Sequence, residues 1–188
     1  MKAFYLFLLL VCPFAPSGSN LTQINTISLL DLKGASVSLH KYVGKSATVF
    51  IFISPECPLC QSYTLTLNKL LATYQNDSIR FIGIVPGTDF SAEQVVAFQR
   101  KYKTNLLLLR DPLNKLTHLL KASITPEVFM VTKQQQVIYQ GRIDNWAYEV
   151  GRKRTVITEH DLRDAIEAFK QYQPIKKPKT KAIGCFIE

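Results

Sequence analysis

The stretch Ala47-Thr48-Val49-Phe50-Ile51-Phe52-Ile53-Ser54-Pro55-Glu56-Cys57-Pro58-Leu59-Cys60 decides the fold. Residues 47–53 form a continuous apolar run rich in β-branched and aromatic side chains, which fits a strand buried on both faces of a sheet. Ser54-Pro55 ends that run. From Pro58 the spacing becomes helical, with Leu65, Leu67, Leu70, Leu71 and Tyr74 on or near one face. The two cysteines therefore fall where a buried strand hands over to a helix.

That position has a chemical consequence. The first turn of a helix presents unpaired backbone amides and the positive end of the macrodipole. A thiolate placed there is stabilised, so the thiol titrates lower and its sulfur is nucleophilic near neutral pH. This reading makes Cys57 the exposed attacking thiol. Cys60, one turn later, can resolve a mixed disulfide by attacking Cys57. Pro58 suits the first turn, where an amide hydrogen has no helical partner.

Reading outward, residues 27–39 alternate apolar and polar around Lys33-Gly34, a short hairpin pattern. On the other side, 79–85 is a second buried strand closed by Pro86-Gly87. Ser91 can cap a helix that runs to about Tyr102. Residues 106–109 form a short strand, and Asp111-Pro112 opens a helix through Leu120. Ile124-Thr125-Pro126 precedes a strand at 127–131, a turn at 133–136 and a strand at 137–140. Weak periodicity over 142–158 predicts a long loop. A last helix covers 159–172, with Leu162, Ala165, Ile166 and Phe169 facing inward. Strands alternating with helices and ending in a hairpin predict an α/β sandwich around a mixed sheet.

The chain has 188 residues, 47% hydrophobic and 20% charged, which excludes disordered and fibrous classes. Its net charge of +9 lies partly in Arg152-Lys153-Arg154 and Lys176-Lys177-Pro178-Lys179-Thr180-Lys181. These clusters are short and lack interleaved aromatics, so they read as solubilising faces and not as a nucleic-acid surface. Residues 1–19 read as a secretory signal peptide. Lys2 supplies the positive end, residues 3–11 form an apolar run too short to span a bilayer, and Pro13, Pro16 and Gly18 break it. Export to the periplasm or the extracellular space is expected. The mature domain is expected over 20–172, followed by a basic tail, 173–188, that carries Gly184-Cys185. Cys12 would tie the chain to a membrane only if lipidated, and Val11 before it is not the small residue such signals prefer. Asn20-Leu21-Thr22 fits a glycosylation sequon at the expected mature terminus. If Cys12 leaves with the signal, Cys57, Cys60 and Cys185 remain. Three is too few for a disulfide-dense scaffold and leaves one thiol without a permanent mate.

The strand 49–53, the motif Cys57-Pro58-Leu59-Cys60 and Thr125-Pro126 before a strand together resemble the thioredoxin superfamily, in its redoxin branch of AhpC/TSA-like and peroxiredoxin-like proteins. The resemblance spans about residues 27–169. It implies a thioredoxin-like three-layer sandwich with a central mixed sheet, and a cis bond before Pro126 facing the dithiol. Tyr139-Gln140-Gly141-Arg142-Ile143-Asp144-Asn145, then Gly151-Arg152-Lys153-Arg154 and Ala182-Ile183-Gly184-Cys185, are similar to an exported bacterial subgroup that keeps the terminal Gly-Cys. That likeness implies that Cys185 approaches Cys57 as an alternative resolving thiol or a third ligand.

Thiol–disulfide exchange leads these readings, with a protein or small-molecule disulfide as substrate and a redox partner protein, and without cofactor or metal. Two alternatives stand beside it. Peroxiredoxins place Ser or Thr three residues before the peroxidatic cysteine, as Ser54 does here, and need an arginine beside the thiolate, for which Arg142 or Arg110 is the candidate. A copper-binding assembly factor would use the cysteine pair with His118 or His160, since soft thiolates suit Cu(I). A zinc site lacks a second pair of ligands at suitable spacing, and His40, His118 and His160 stand singly.

Overall fold

The computed structural model describes residues 23–76 and 78–188; the expected signal segment, Cys12 and the Asn20 sequon lie outside the described residues. In chain order the elements are β1 (Ser28–Leu30), β2 (Ser36–Ser38), β3 (Ala47–Phe52), α1 (Pro58–Tyr74), β4 (Ile79–Pro86), α2 (Ala92–Lys101), β5 (Leu107–Asp111) and α3 (Lys115–Leu120). They continue with β6 (Ile124–Thr125), β7 (Glu127–Thr132), β8 (Val137–Gly141), β9 (Ala147–Glu149), β10 (Arg152–Lys153), α4 (Asp161–Lys170) and β11 (Cys185–Phe186).

Seven strands form one mixed sheet in the order β2-β1-β5-β4-β3-β7-β8. β3 runs parallel to β4, which runs parallel to β5, while β7 pairs antiparallel with both β3 and β8. The apolar run at 47–53 is explained by this place: every residue of β3 is buried. Val49 and Ile51 enter one core with Tyr63, Leu67 and Leu71 of α1, Val95 and Phe98 of α2, and Leu162, Ala165 and Ile166 of α4. Phe50 and Phe52 enter the other, with Leu116 and Leu120 of α3 and Ile24 and Leu39 from short 3-10 turns near the start of the described chain. Three layers result, as expected of a thioredoxin-like sandwich. Each fully buried Phe or Ile contributes about 1.5–3 kcal/mol, which makes β3 the energetic axis of the domain.

Three expectations need correction. Leu65 is 64% exposed, because the buried face of α1 runs through Tyr63, Thr64, Leu67, Leu71 and Tyr74. The helix expected from Asp111 starts at Lys115, since Asp111 is the last residue of β5 and its carboxylate caps the helix from outside. Its Oδ1 accepts from the Lys115 amide, and its Oδ2 from the Leu116 and Thr117 amides. The loop at 142–158 contains the small antiparallel pair β9–β10.

The basic tail is not a free appendage. The Gln140 amide donates to the Pro178 carbonyl at 2.9 Å, and the Thr180 amide donates back to Gln140 at 2.9 Å. Thr180 Oγ1 also accepts from the Arg142 amide and bonds the Tyr139 hydroxyl. Gly141, at φ +139°, allows this crossing: a Cβ there would stand 2.3 Å from the Thr180 carbonyl oxygen. Beyond it, β11 pairs antiparallel with β6.

Candidate active site

β3 ends at Phe52, and the chain turns through residues 53–56 into α1, whose N-cap is Cys57 and whose first helical residue is Pro58. The Ser54 amide donates to Cys60 Sγ at 3.4 Å, and Gln61 Nε2 donates to the Pro55 carbonyl at 2.8 Å. These bonds fix the turn that aims both sulfurs toward the neighbouring loop at 124–126. There the Thr125–Pro126 peptide bond is cis, and the Thr125 carbonyl accepts from the Cys57 thiol at 3.1 Å.

The third thiol comes from β11. Cys185 is aligned with Thr125 and Phe186 with Ile124, and the Ile187 amide donates to the Ser123 carbonyl at 2.9 Å. This pairing sets Cys185 Sγ 2.7 Å from Cys57 Sγ. Gly184 permits the approach, since a Cβ on it would meet the Thr125 carbonyl oxygen at 2.0 Å. All three described cysteines are free thiols.

The expectation of an exposed Cys57 is therefore corrected: the residue is 2% exposed and Cys60 1%. β11, paired with β6, sets the Cys185 sulfur against Cys57, and Cys185, partly exposed, is the outermost of the three. An open cleft of about 300 Å³ borders the group, lined by Ser54, Cys57, Thr125, Cys185 and the carboxylate-bearing Glu56, Asp89 and Glu188.

Electrostatics separate the three thiols. The hydrogen bond from the Cys60 thiol holds Cys57 down to about 5; burial opposes it, and the Cys185 thiol and the amides of both residues add to it. Burial pushes Cys60 well up, reinforced by the neighbouring Cys57. Burial also pushes Cys185 up to about 12, again with Cys57 adding to the effect. Near neutral pH these shifts favour a thiolate on Cys57 that accepts from the Cys60 and Cys185 thiols, and the bond to the Thr125 carbonyl belongs to the protonated form of Cys57.

Of the remaining candidates, Ser54 and Thr125 line the cleft and Pro126 follows in the same loop. Arg142 does not. Its guanidinium Nε bonds Asp161 Oδ2 at 2.7 Å and its terminal nitrogen pairs with Glu159. Arg110 lies on β5, aligned with Val85 and Leu30. His118 sits on α3 and His160 directly precedes α4, and neither lines the cleft. Among the described residues, no group of three or more His, Cys, Asp and Glu side chains is arranged to hold a metal ion. Sequence reasoning missed Glu56, Asp89, Phe186 and Glu188 as cleft residues, and only the apolar pair Phe186-Ile187 after Gly184-Cys185 hinted that the end of the chain packs.

A mixed sheet between helical layers, with a Cys-x-x-Cys pair at a helix start opposite a cis proline loop, defines a thioredoxin-like redoxin. Within that class the chain belongs to the AhpC/TSA family, whose profile matches residues 22–140. Two curated relatives, both chloroplastic peroxiredoxin Q, are similar over 88 residues: that of Suaeda salsa is 33% identical and that of Sedum lineare 31%. The match spans 47% of this chain but only 40% and 46% of those proteins. Among solved structures, a conserved protein from Geobacillus kaustophilus aligns with TM-score 0.76 at 21% identity, covering 86% of this chain and 87% of its own. A protein from Sinorhizobium meliloti aligns with TM-score 0.74 at 23% identity, covering 86% and 89%. A secreted Mycobacterium tuberculosis disulfide oxidoreductase aligns with TM-score 0.52 at 20% identity, covering 62% and 82%. At these identities the structures attest the fold.

Proposed function

We propose that the protein is an exported thiol–disulfide oxidoreductase working through the dithiol Cys57–Cys60. The observation that carries this reading is the placement of Cys57 at the N-cap of α1, one turn before Cys60 and against the cis Thr125–Pro126 bond; the Cys60 hydrogen bond there holds its thiol down to about 5. Cys57 Sγ attacks a disulfide of a protein or small-molecule substrate, forming a mixed disulfide and expelling one substrate thiolate. Cys60 then attacks Cys57 Sγ, closes the Cys57–Cys60 disulfide and releases the second thiol, and a redox partner protein restores the dithiol. Every step is reversible, so the potential of the pair sets whether clients are reduced or oxidised. The leader-like residues 1–19 support export.

The test is redox equilibration of the Cys185→Ser variant in glutathione buffers. The reading expects a reversible two-electron transition of the Cys57–Cys60 pair, and the absence of one overturns it. A thiol peroxidase is the second reading, supported by the similarity to peroxiredoxin Q and by the low-titrating Cys57. It lacks support from Arg142, which is engaged by Asp161 and Glu159. Peroxide consumption by the reduced protein, faster by orders of magnitude than by a free thiol, would favour it.

A further inference from the structure

The thiol best placed to attack is not the thiol best placed to be reached. Cys57 and Cys60 are 2% and 1% exposed, while Cys185, whose sulfur abuts Cys57 at the edge of the cleft, is partly exposed. The strand that carries it, β11, is built in. It pairs with β6, is followed by the Ile187–Ser123 hydrogen bond, and is preceded by the Gln140–Pro178 and Gln140–Thr180 bonds and the close crossings at Gly141 and Gly184.

We propose that Cys185 is the relay thiol through which the buried Cys57–Cys60 pair exchanges electrons with thiols in solution. The proposal rests on the dithiol reading above, keeps the Cys57–Cys60 pair as the store of electrons, and moves the mixed disulfide with the client from Cys57 to Cys185. In the oxidised protein, deprotonated Cys185 attacks Cys57 Sγ; the Cys57–Cys185 bond forms, the Cys57–Cys60 bond breaks, and Cys60 takes up a proton. A client thiolate then attacks Cys185 Sγ, so the client–Cys185 bond forms and Cys57 leaves as its thiolate. A second client thiolate attacks the client sulfur of that bond; the client disulfide forms and Cys185 leaves, taking up a proton. The net change is the oxidation of two client thiols and the two-electron reduction of the protein disulfide, with one proton to solvent because Cys57 stays ionised. Run backward, the same steps reduce a client disulfide. Two observations select Cys185 as the sulfur attacked. It is the accessible partner, and displacement there expels Cys57, the lowest-titrating and hence fastest-leaving thiol of the three.

The test follows the oxidised full-length chain as it is reduced by 2-mercaptoethanol, a neutral monothiol chosen because Glu56, Asp89 and Glu188 line the cleft. Acid quenching and peptide mapping locate the first mixed disulfide, which is expected on Cys185. In the Cys185→Ser and Cys185→Ala variants, reduction of the Cys57–Cys60 disulfide is expected to slow roughly tenfold or more while reaching the same end-point. A mixed disulfide on Cys57 or Cys60 with Cys185 unmodified overturns the relay, as does reduction of both variants at the unsubstituted rate or faster. Either of those results leaves dithiol exchange standing if the variants still close the Cys57–Cys60 disulfide. Failure to close it in variants that remain folded by circular dichroism overturns the parent reading.

Discussion

The sulfur of Cys185 stands 2.7 Å from the sulfur of Cys57, although 128 residues separate them in the chain. The contact joins the lowest-titrating thiol of the site to one pushed up to about 12. The reduced protein should therefore show a thiolate titrating with a midpoint of about 5, followed by far-ultraviolet thiolate absorbance or by the pH profile of iodoacetamide labelling. Cys60→Ala should raise that midpoint more than Cys185→Ala, because the Cys60 hydrogen bond is the larger stabilising influence. An ordinary midpoint in the unsubstituted protein, about 8.5, would remove the basis for Cys57 as nucleophile.

The same shifts set how the reduced state responds to pH. Cys57 is depressed on folding, so the stability it contributes is present above the unfolded thiol value of about 8.5 and is lost as pH falls through about 5. Cys60 and Cys185 are raised, so their contribution is present below about 8.5 and is lost as pH rises above it. Denaturant midpoints of the reduced protein should rise between those two values, and Cys57→Ala should flatten that rise. A slope unchanged in Cys57→Ala would mean that other groups produce it.

Gly184→Val tests the seat of β11 without touching a thiol. The new Cβ would press on backbone, meeting the Thr125 carbonyl oxygen at 2.0 Å and its carbon at 2.6 Å, and neither atom can swing aside as a side-chain end would. The strand should lift from β6 and uncover Cys57. A local loss of about 1.4 kcal/mol corresponds to roughly tenfold faster alkylation of Cys57 through the opened state. Unchanged labelling would show that β11 does not cover the sulfur.

Much of this architecture is readable from the chain, for definable reasons. Buried parallel strands must be apolar on both faces, so β3 and β4 announce themselves, and Cys57-Pro58-Leu59-Cys60 directly after β3 marks the helix start. Ser91 caps α2 as its local sequence predicts, and the structure adds Gln94 as the reciprocal half of a capping box. What is hidden depends on long-range pairing. Nothing near Cys185 states that β11 will pair with β6, because a two-residue strand has no period and its partner is some sixty positions away. The burial of Cys57 is hidden for the same reason, since Cys185, which abuts it, comes from the far end of the chain. Asp111 misled for a different reason: an acidic residue before proline looks like a helix start, yet here it ends a strand and caps a helix four residues on.

Asp111 should accordingly matter to stability more than a surface turn residue would. Besides three amides, its Oδ2 accepts from Thr117 Oγ1 at 2.9 Å, and the carboxylate is buried. Asp111→Ala strands the amides at the start of α3 and should cost about 3 kcal/mol. Asp111→Asn, which keeps one acceptor oxygen, should cost less. Urea unfolding of both variants decides this, and equal losses would argue that burial of the side chain matters more than its acceptors.

Arg142 separates a structural role from a catalytic one. Its side chain spans two carboxylates, and of these Asp161 is almost fully enclosed, with 2% of its side chain exposed at the first turn of α4. Removing the guanidinium in Arg142→Met leaves that charge buried without its partner, a loss of about 3–5 kcal/mol. Arg142→Lys should recover only part, because an ammonium cannot span two carboxylates as a planar fork does. Cys57 labelling should keep the midpoint of the unsubstituted protein in both variants, since the guanidinium is not among the groups that hold Cys57 down. The opposite pattern, intact stability with a raised Cys57 midpoint and slower peroxide consumption, would place Arg142 beside the thiolate during turnover and turn the balance toward a peroxidase.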